Sequence, residues 1–279
     1  MLQFKEEIRQ AAKTALVDMI GFAGRDRFDG LSAEKNPFSL FPAAQTVIMI
    51  ARRVTRGSLR GVEEGINFGD YGSFGKSWLA DEFLAQSAYE LVTFIERSGY
   101  EAMPLVPEKQ VSVSGVARTV QPDFNYAAVA CGLGEIGLSG EILTPRFGPR
   151  QRFIMILTEA SLPADPLLDQ PVCTRCGRCV SICPLQALDM EKAYNISICG
   201  KTMQVAARDE QQCAICKNGA VNGPNGVDRL AALCNRTCVD ELEQAGVLSN
   251  TFEARFRKRQ AWGKNEFGEA VEIVEGGRQ

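Results

Sequence analysis

The chain has 279 residues, of which 45% are hydrophobic and 23% are charged, as in a globular protein with room for more than one domain. Its formal net charge of −3 argues against a nucleic-acid surface, because phosphate binding depends on clustered Lys and Arg. The chain contains no histidine, which excludes Ser-His and Cys-His catalytic dyads, His-ligated haem or zinc, and Rieske centres.

The N-terminal segment has the pattern of an amphipathic helix rather than of a signal peptide. Phe4, Ile8, Ala12 and Ala15 recur on one helical face, and acidic residues interrupt the apolar positions. No apolar run in the chain reaches the roughly 18 residues of a membrane span. We therefore expect a cytoplasmic protein with neither a membrane nor a nucleic-acid partner.

Helices and strands alternate over the first part of the chain. The pattern predicts a buried strand at 47–51, a Gly-rich loop at 65–75, a helix from about 79 to 98, a strand at 101–105 and a helix at 123–130. After the turn CGLGEIGLSG, the segments ILTP and RFIMILTEA are predicted to pair with each other around RFGPR. This alternation predicts an α/β or α+β core.

Ten cysteines occur, and all except Cys131 lie between residues 173 and 238. Four of them form the run Cys173-Thr-Arg-Cys176-Gly-Arg-Cys179-Val-Ser-Ile-Cys183-Pro184. This C-x2-C-x2-C-x3-C-P spacing is that of bacterial ferredoxins, in which three thiolates hold one [4Fe–4S] cluster and the fourth reaches a neighbouring cluster. Zinc sites use separated C-x2-C pairs, and disulfide scaffolds are typical of secreted chains. The run therefore predicts two [4Fe–4S] clusters.

The remaining ligands must come from the cysteines downstream of this run. We assign to the first cluster Cys173, Cys176, Cys179 and Cys238, with Cys234 as the alternative to Cys238. We assign to the second cluster Cys183, Cys199, Cys213 and Cys216. Cys238 is preferred because it precedes a predicted helix at 239–245, as Cys183 precedes one expected to begin at Pro184. Cys131 is interpreted as a small buried hydrophobe.

Two segments that follow each other closely resemble a known family: CGLGEIGLSGEILTPRFGPRQRFIMILTEASLPAD and CTRCGRCVSICPLQAL. Their order and spacing are similar to those of the reductive dehalogenases and epoxyqueuosine reductases. The similarity extends upstream through LFPAAQTVIMIAR and the pair Asp70-Tyr71. The resemblance implies a nitroreductase-like core at 1–168, a bacterial two-[4Fe–4S] ferredoxin-like domain at 169–245, and a C-terminal helix and tail at 246–279.

The resemblance also implies a base-off cobalamin that is held by the core and supplied with electrons by the nearer cluster. Glycines have no Cβ and would let a flat macrocycle approach the backbone; the candidates are Gly69, Gly72, Gly132, Gly134, Gly137 and Gly140. Arg118 stands near the place where epoxyqueuosine reductases carry an acidic proton donor. Tyr71 and Tyr126 are therefore the candidate proton donors, with Arg118 as a group that stabilises an anion.

These observations predict an iron–sulfur reductase that takes electrons from a ferredoxin or flavodoxin and cleaves a small substrate reductively at a bound corrinoid. Two alternatives stay open. One is a non-catalytic electron-transfer or corrinoid-handling protein, and the other is a flavin-dependent reductase that holds FMN on the same core. A homodimer is also compatible with these features.

Overall fold

The computed structural model describes residues 1–107, 120–223, 226–258 and 260–273. The chain forms two compact units, each built from separate stretches of sequence. Unit 1 comprises Met1–Arg53, Leu79–Leu133 and Arg152–Asp169, and unit 2 comprises Val54–Trp78, Gly134–Gln151 and Gln170–Gln279. The domain limits at 168 and 245 stay a prediction. Within the described residues, no helix combines the length and the apolar character needed to cross a bilayer.

Helices and strands are mixed along the described residues. The helices are α1 (Leu2–Thr14), α2 (Arg56–Glu63), a π-helix (Tyr71–Leu84) that continues into α3 (Ala85–Arg97), α4 (Phe124–Ala130), α5 (Arg178–Ser181), α6 (Glu210–Ala214) and α7 (Leu233–Gln244). The strands are β1 (Met19–Gly24), β2 (Thr46–Arg53), β3 (Ala102–Leu105), β4 (Glu135–Ile136), β5 (Ile142–Leu143), β6 (Gln151–Thr158), β7 (Leu188–Ile198), β8 (Lys201–Arg208), β9 (Val221–Gly223), β10 (Gly226–Asp228), β11 (Trp262–Lys264) and β12 (Ala270–Glu272).

Unit 1 is built on a four-stranded sheet with the order β1-β2-β6-β3. Strand β1 pairs antiparallel with β2, and β3 pairs antiparallel with β6. The continuous apolar run of β2 is buried, as the sequence predicted. The core of unit 1 contains side chains from the sheet and from α1 and α3, among them Ile8, Phe22, Ile48, Leu91 and Ile154.

Asp165 ties the end of unit 1 to its first helix. Its carboxylate lies 2.7 Å from Lys5 Nζ and 2.6 Å from an Arg9 guanidinium nitrogen. It also accepts a 3.1 Å hydrogen bond from the backbone N–H of Phe22 on β1. Because the Asp165 side chain is 17% exposed, these contacts form largely away from solvent and fix α1 against the sheet.

Unit 2 consists of hairpins and short helices, with α7 as its longest helix. The antiparallel pairs are β4–β5, β7–β8, β9–β10 and β11–β12. Helix α5 follows Gly177, which has φ of 74° and therefore a conformation that favours glycine. Arg178 on α5 donates to Glu241 on α7 at 3.1 Å, so these two helices are linked at their polar edges.

The structure corrects several predicted elements. The helix expected from about 79 begins at Tyr71, because a π-helical stretch precedes α3. The segments ILTP and RFIMILTEA do not pair with each other: β5 pairs with β4, and β6 lies within the sheet of unit 1. Pro184 begins no helix, and α5 lies just before it.

The predicted C-terminal helix is also wrong for the described part of 246–279. There, β11 and β12 form a hairpin with pairs from Trp262 with Glu272 to Lys264 with Ala270. The side chain of Asn265 accepts hydrogen bonds from the backbone N–H groups of Phe267 and Glu269 and so closes the turn. This local turn competes with helix formation.

Replacement of Asp165 by Ala should destabilise unit 1 by about 2–4 kcal/mol, because Lys5 and Arg9 lose their partner and the Phe22 N–H loses an acceptor. The measurement is urea unfolding followed by circular dichroism. The exposed Asp169 is the matched control, and its replacement by Ala should stay within about 0.5 kcal/mol of the parent. Equal effects of the two substitutions would contradict the anchoring role of Asp165.

Candidate metal centre

Four cysteines line one cavity in unit 2: Cys173, Cys176, Cys179 and Cys238. The first three come from the C-x2-C-x2-C run, and the fourth comes from α7. The cavity wall between them includes the apolar side chains of Leu138, Leu143 and Leu242. We call these four residues the first cysteine set.

Burial and the neighbouring thiols both affect the ionisation of this set. Burial raises the pKa of the Cys238 thiol well above its ordinary value, and three neighbouring thiols add to the shift: Cys179, Cys173 and Cys176. Burial, and then Cys173 and Cys176, likewise raise the pKa of Cys179 to about 12. Thiols that lie this close resist ionisation together, because each thiolate would repel the others.

A second group gathers around Cys183, the last cysteine of the run. Burial raises the pKa of Cys216, and the neighbouring thiol of Cys183 adds to this. Burial raises the pKa of Cys234 to about 12, with Cys183 again among the neighbours that raise it. Burial is the main cause of the raised pKa of Cys213 on α6, and the thiol of Cys216 contributes. We call Cys183, Cys213, Cys216 and Cys234 the second cysteine set.

Helix α7 therefore supplies one cysteine to each set. The helix predicted at 239–245 begins earlier in the structure, and a single helix from Leu233 to Gln244 carries both Cys234 and Cys238. They are four residues apart, which places them one turn apart on the same face. Cys238 has its strongest thiol interactions within the first set, whereas the strongest thiol interaction of Cys234 is with Cys183, so the two cysteines that were treated as alternatives have different main partners.

Cys199, which sequence analysis assigned to the second cluster, lies elsewhere in unit 2. It occupies the turn between β7 and β8 and has φ of 51°, followed by Gly200 with φ of 83°. Cys183 and Cys213 lie near the opposite end of this hairpin, where Leu188 pairs with Arg208. Strand β8 has 8 residues and spans about 23 Å, so the hairpin separates Cys199 from the second cysteine set.

Backbone N–H groups point at several of the sulfurs. Leu138 donates to Cys173 Sγ at 3.5 Å, and Ala187 donates to Cys183 Sγ at 3.3 Å. All ten cysteines are free of disulfides. Within the described ranges no three Cys, Asp or Glu side chains converge on a single metal ion. A four-iron cluster does not require such convergence, because each thiolate binds a different iron atom.

Glu135 holds the start of the cysteine run, a role that sequence analysis did not assign. Its carboxylate accepts backbone hydrogen bonds from Val172 at 2.8 Å and from Cys173 at 2.7 Å. Its other oxygen lies 3.1 Å from Lys201 Nζ. The acidic residue inside the CGLGEIG turn was visible in sequence, but the segment that it holds lies more than thirty residues downstream.

Three of the candidate cofactor-binding glycines pack against the protein itself. A Cβ at Gly132 would overlap the backbone oxygen of Pro166, and one at Gly134 would overlap the backbone oxygen of Leu143. A Cβ at Gly137 would lie 2.6 Å from the Leu143 side chain. The absence of a side chain at these positions is therefore required by turns and close packing.

The other three glycines have more space. Gly140, with φ of 81°, closes the turn between β4 and β5 and has its nearest neighbour, Val205, at 3.5 Å. Gly69 has only Asn67 Oδ1 nearby, at 3.5 Å, and Gly72 has nothing within 4 Å. Only Gly69 and Gly72 thus keep the open approach that was predicted for a bound macrocycle.

The two candidate proton donors are both hydrogen-bonded. In unit 2 the Tyr71 ring is buried and its hydroxyl donates to Asp228 Oδ2 at 3.0 Å. In unit 1 the Tyr126 hydroxyl donates to the backbone oxygen of Arg27 at 2.8 Å. Arg118 lies outside the described residues. Cys131 is buried in unit 1, as predicted, and donates to the Val47 oxygen at 3.6 Å.

Comparisons with known proteins agree with the cysteine geometry. A 4Fe-4S binding domain matches residues 166–189, which contain the whole cysteine run. Tetrachloroethene reductive dehalogenase of Desulfitobacterium hafniense is 33% identical over 112 residues, which cover 39% of this chain and 18% of that protein. Epoxyqueuosine reductase of Bacillus cereus is 27% identical over 214 residues, which cover 67% of this chain and 52% of that protein.

This chain is similar in sequence to both reductive dehalogenases and epoxyqueuosine reductases. A reductive dehalogenase structure, described as suggesting a mechanism for B12-dependent dehalogenation, covers 91% of this chain with a TM-score of 0.54 and 16% identity, over 33% of its own length. Epoxyqueuosine reductase from Streptococcus thermophilus covers 67% with a TM-score of 0.50 and 19% identity, over 54% of its own length. These structural likenesses concern the fold.

The chain spans about half or less of the length of the relatives it matches. It carries a ferredoxin-like 4Fe-4S domain within a mixed helix and strand fold. One epoxyqueuosine reductase has been solved with an epoxyqueuosine-modified tRNA stem loop. The partners expected for this chain, including the absence of a nucleic-acid partner, stay predictions.

Replacement of Gly132 by Ala should destabilise the apo-protein by more than about 2 kcal/mol. A left-handed φ of 73° costs an L-residue about 1–2 kcal/mol, and the overlap with Pro166 adds to that cost. Gly99→Ala is the matched control in unit 1, because Gly99 has φ of 86° with nothing within 4 Å. Urea unfolding measures both. Equal losses would contradict a packing role for Gly132 and would favour a role in cofactor contact.

Proposed function

We propose that this chain is an iron–sulfur oxidoreductase that holds two [4Fe–4S] clusters and passes single electrons from a donor protein to a bound acceptor. The observation that carries this proposal is the gathering of eight cysteines into two sets of four, with the first set lining one cavity. Similarity to two kinds of iron–sulfur reductase supports the reaction class.

The first cysteine set is the proposed ligand set of the first cluster, with Cys238 as the returning ligand. For the second cluster we propose the second cysteine set, in which Cys234 takes the place that sequence analysis gave to Cys199. The support is the electrostatic interaction of Cys234 with Cys183 and the distance of the β7–β8 turn from the other three cysteines. Both proposals keep the ferredoxin pattern, in which the fourth cysteine of the run serves the other cluster.

The chemistry of these thiols fits a cationic metal group. Buried thiols with raised pKa values stay protonated unless a positive charge compensates the thiolate. Hydrogen bonds from the backbone to Cys173 and Cys183 stabilise the thiolate form of a ligand. When bound, clusters of this kind supply one-electron transfer. The protein would position both clusters and set their charge environment, and Leu138, Leu143 and Leu242 would shield the first.

We further propose that the acceptor is a corrinoid used for the reductive cleavage of a small substrate, on a nitroreductase-like core. The support is the likeness in fold to a reductive dehalogenase described in terms of B12-dependent dehalogenation. The packing of Gly132, Gly134 and Gly137 argues against these residues as its cradle, whereas Gly69 and Gly72 remain open. Electron transfer without a corrinoid is the competing function, and a bound flavin is the other.

Metal analysis distinguishes these functions. Protein purified without oxygen from a host supplied with corrinoid should contain about eight irons and about eight sulfides per chain, since each cluster holds four of each. About one cobalt per chain would support the corrinoid reductase. Eight irons with no cobalt, even after reconstitution with cobalamin, would leave electron transfer as the function. A flavin spectrum would identify FMN, rather than a corrinoid, as the bound acceptor.

The ligand assignment is tested by a pair of substitutions. Cys234→Ala should reduce the iron content from about eight to about four per chain, because the second cluster loses a ligand. Cys199→Ala is the matched control and should leave about eight irons. Iron and sulfide are measured after anaerobic reconstitution of both variants. The reverse outcome, with loss of iron only in Cys199→Ala, would return Cys199 to the second cluster and overturn our assignment.

A further inference from the structure

Two buried arginines lie near the segments that carry the second cysteine set. Arg229 is 3% exposed and Arg236 is 1% exposed, although arginine is rarely buried unless it is paired. Neither residue serves as a proposed cluster ligand. Both lie in the segment that enters and forms α7, on which Cys234 is located.

Arg236 connects the segments that carry two cysteines of this set. It lies two residues after Cys234 on α7, and its guanidinium donates to the backbone oxygen of Asn218 at 3.4 Å, two residues after Cys216. It also donates to the backbone oxygen of Ala231 at 2.9 Å and forms an ion pair with Glu63. Arg236 interacts electrostatically with both Cys216 and Cys234.

Arg229 precedes Cys234 by five residues in the sequence. Its guanidinium donates to the backbone oxygen of Ser139 at 3.0 Å and forms an ion pair with Glu141. Its own backbone oxygen accepts a 2.7 Å hydrogen bond from the Asn235 side chain, which fixes it to α7. Arg229 interacts electrostatically with Cys234 and Cys213.

The first cysteine set has different surroundings. After burial, the largest influences on Cys238 are the other three thiols of its own set, and those on Cys179 are two of them. Arg175 and Arg178 also line the cavity of the first set, but Arg175 is exposed and Arg178 is partly exposed and paired with Glu241. The arginines beside the second set differ from these two in being fully buried. Two clusters held in these sets would not be electrostatically equivalent.

Building on the proposed function, we propose that Arg229 and Arg236 are redox-tuning residues of the second cluster. Reduction adds one negative charge to a cluster, and a fixed positive charge in a poorly screened interior stabilises that charge. The two arginines therefore raise the reduction potential of the second cluster, so that it is reduced before the first. Glu141 and Glu63, their partners, act in the opposite direction.

Substitutions that remove a positive charge and substitutions that remove a negative charge should shift the reduction potential in opposite directions. This difference separates electrostatic tuning from a loss of structure. Arg236→Met removes the charge, and Glu63 keeps a partner in Arg257. Arg229→Met removes the other charge. Arg236→Lys retains the charge and should retain the potential, whereas Glu141→Gln removes a negative charge beside Arg229. Arg255→Met is the control for loss of an exposed arginine, because the Arg255 side chain is 58% exposed although its partner Asp240 is buried.

The experiment is a redox titration monitored by electron paramagnetic resonance, after iron has been counted in each variant. In the parent protein we expect two reduction steps. Arg229→Met and Arg236→Met should each lower the reduction potential of the step that occurs at the higher potential. The expected change is at least tenfold in the equilibrium constant of that step, which is about 59 mV for one electron. Glu141→Gln should raise the reduction potential of the same step. Arg236→Lys and Arg255→Met should change the equilibrium constant of that step by less than threefold.

The outcomes separate this inference from the proposed function. Two results would overturn the tuning role alone, provided that the variants contain about eight irons. One is an unchanged reduction potential of the higher step in both Met variants, and the other is a shift of that potential by Glu141→Gln in the same direction as in the Met variants. If the Met variants fail to assemble both clusters, the sign of the Glu141→Gln shift decides the question. About four irons in the parent protein would overturn both the second cluster and its tuning.

Discussion

The four-residue spacing of Cys234 and Cys238 on one helix is the constraint on which the arrangement of unit 2 depends. An α-helix advances about 6 Å over four residues, so side chains at this spacing project from the same face one turn apart. Cys238 interacts chiefly with the thiols of the first set, whereas Cys234 interacts with Cys183 of the second set and, more weakly, with Cys179 of the first. Any displacement of α7 would therefore disturb both sets at once.

A buried charge network holds α7 in place. Glu63 at the end of α2 pairs with Arg236 on α7 and with Arg257 beyond it. Burial opposes ionisation of Glu63, but the two guanidinium groups outweigh it and keep the pKa of this carboxyl below its ordinary value. Removal of Glu63 would leave two buried cations without their partner, which is costly in a protein interior.

The segment after α7 takes part in the same support. The Trp262 indole N–H donates to the backbone oxygen of Glu63 at 2.6 Å, and the Trp262 ring fills the space beside Gly65. Gly65 has φ of 70°, and a side chain there would collide with that ring. Trp262 lies in the segment 246–279, which the sequence predicted to be a helix and a tail. Through Glu63 it supports α7, the helix that carries Cys234 and Cys238.

Local patterns predicted local features well. The run from Cys173 to Cys183 predicted three members of the first cysteine set, since its spacing alone brings them around one cavity. The helix at 123–130 was predicted from its apolar pattern, and the structure has α4 at Phe124–Ala130 with Asp123 as its N-cap. In both cases the determining residues lie within one or two turns of each other.

Features that depend on distant segments could not be predicted in the same way. Cys199 lies closer in sequence to Cys213 than Cys234 does, but two long paired strands carry it away, and hairpin length is not visible in cysteine spacing. Gly132 and Gly134 appeared as an open Gly-rich turn because their neighbours, Pro166 and Leu143, are separate in sequence. The sheet position of β6 likewise depends on strands from elsewhere in the chain.

If α7 brings two clusters within one helical turn of each other, as we propose, the spectrum of the fully reduced protein should reveal their proximity. Two paramagnetic clusters bound through Cys234 and Cys238 should interact magnetically. The electron paramagnetic resonance spectrum should then be broadened and split relative to that of the half-reduced protein. A fully reduced spectrum that is a simple sum of two independent signals, or that contains one signal only, would contradict this account.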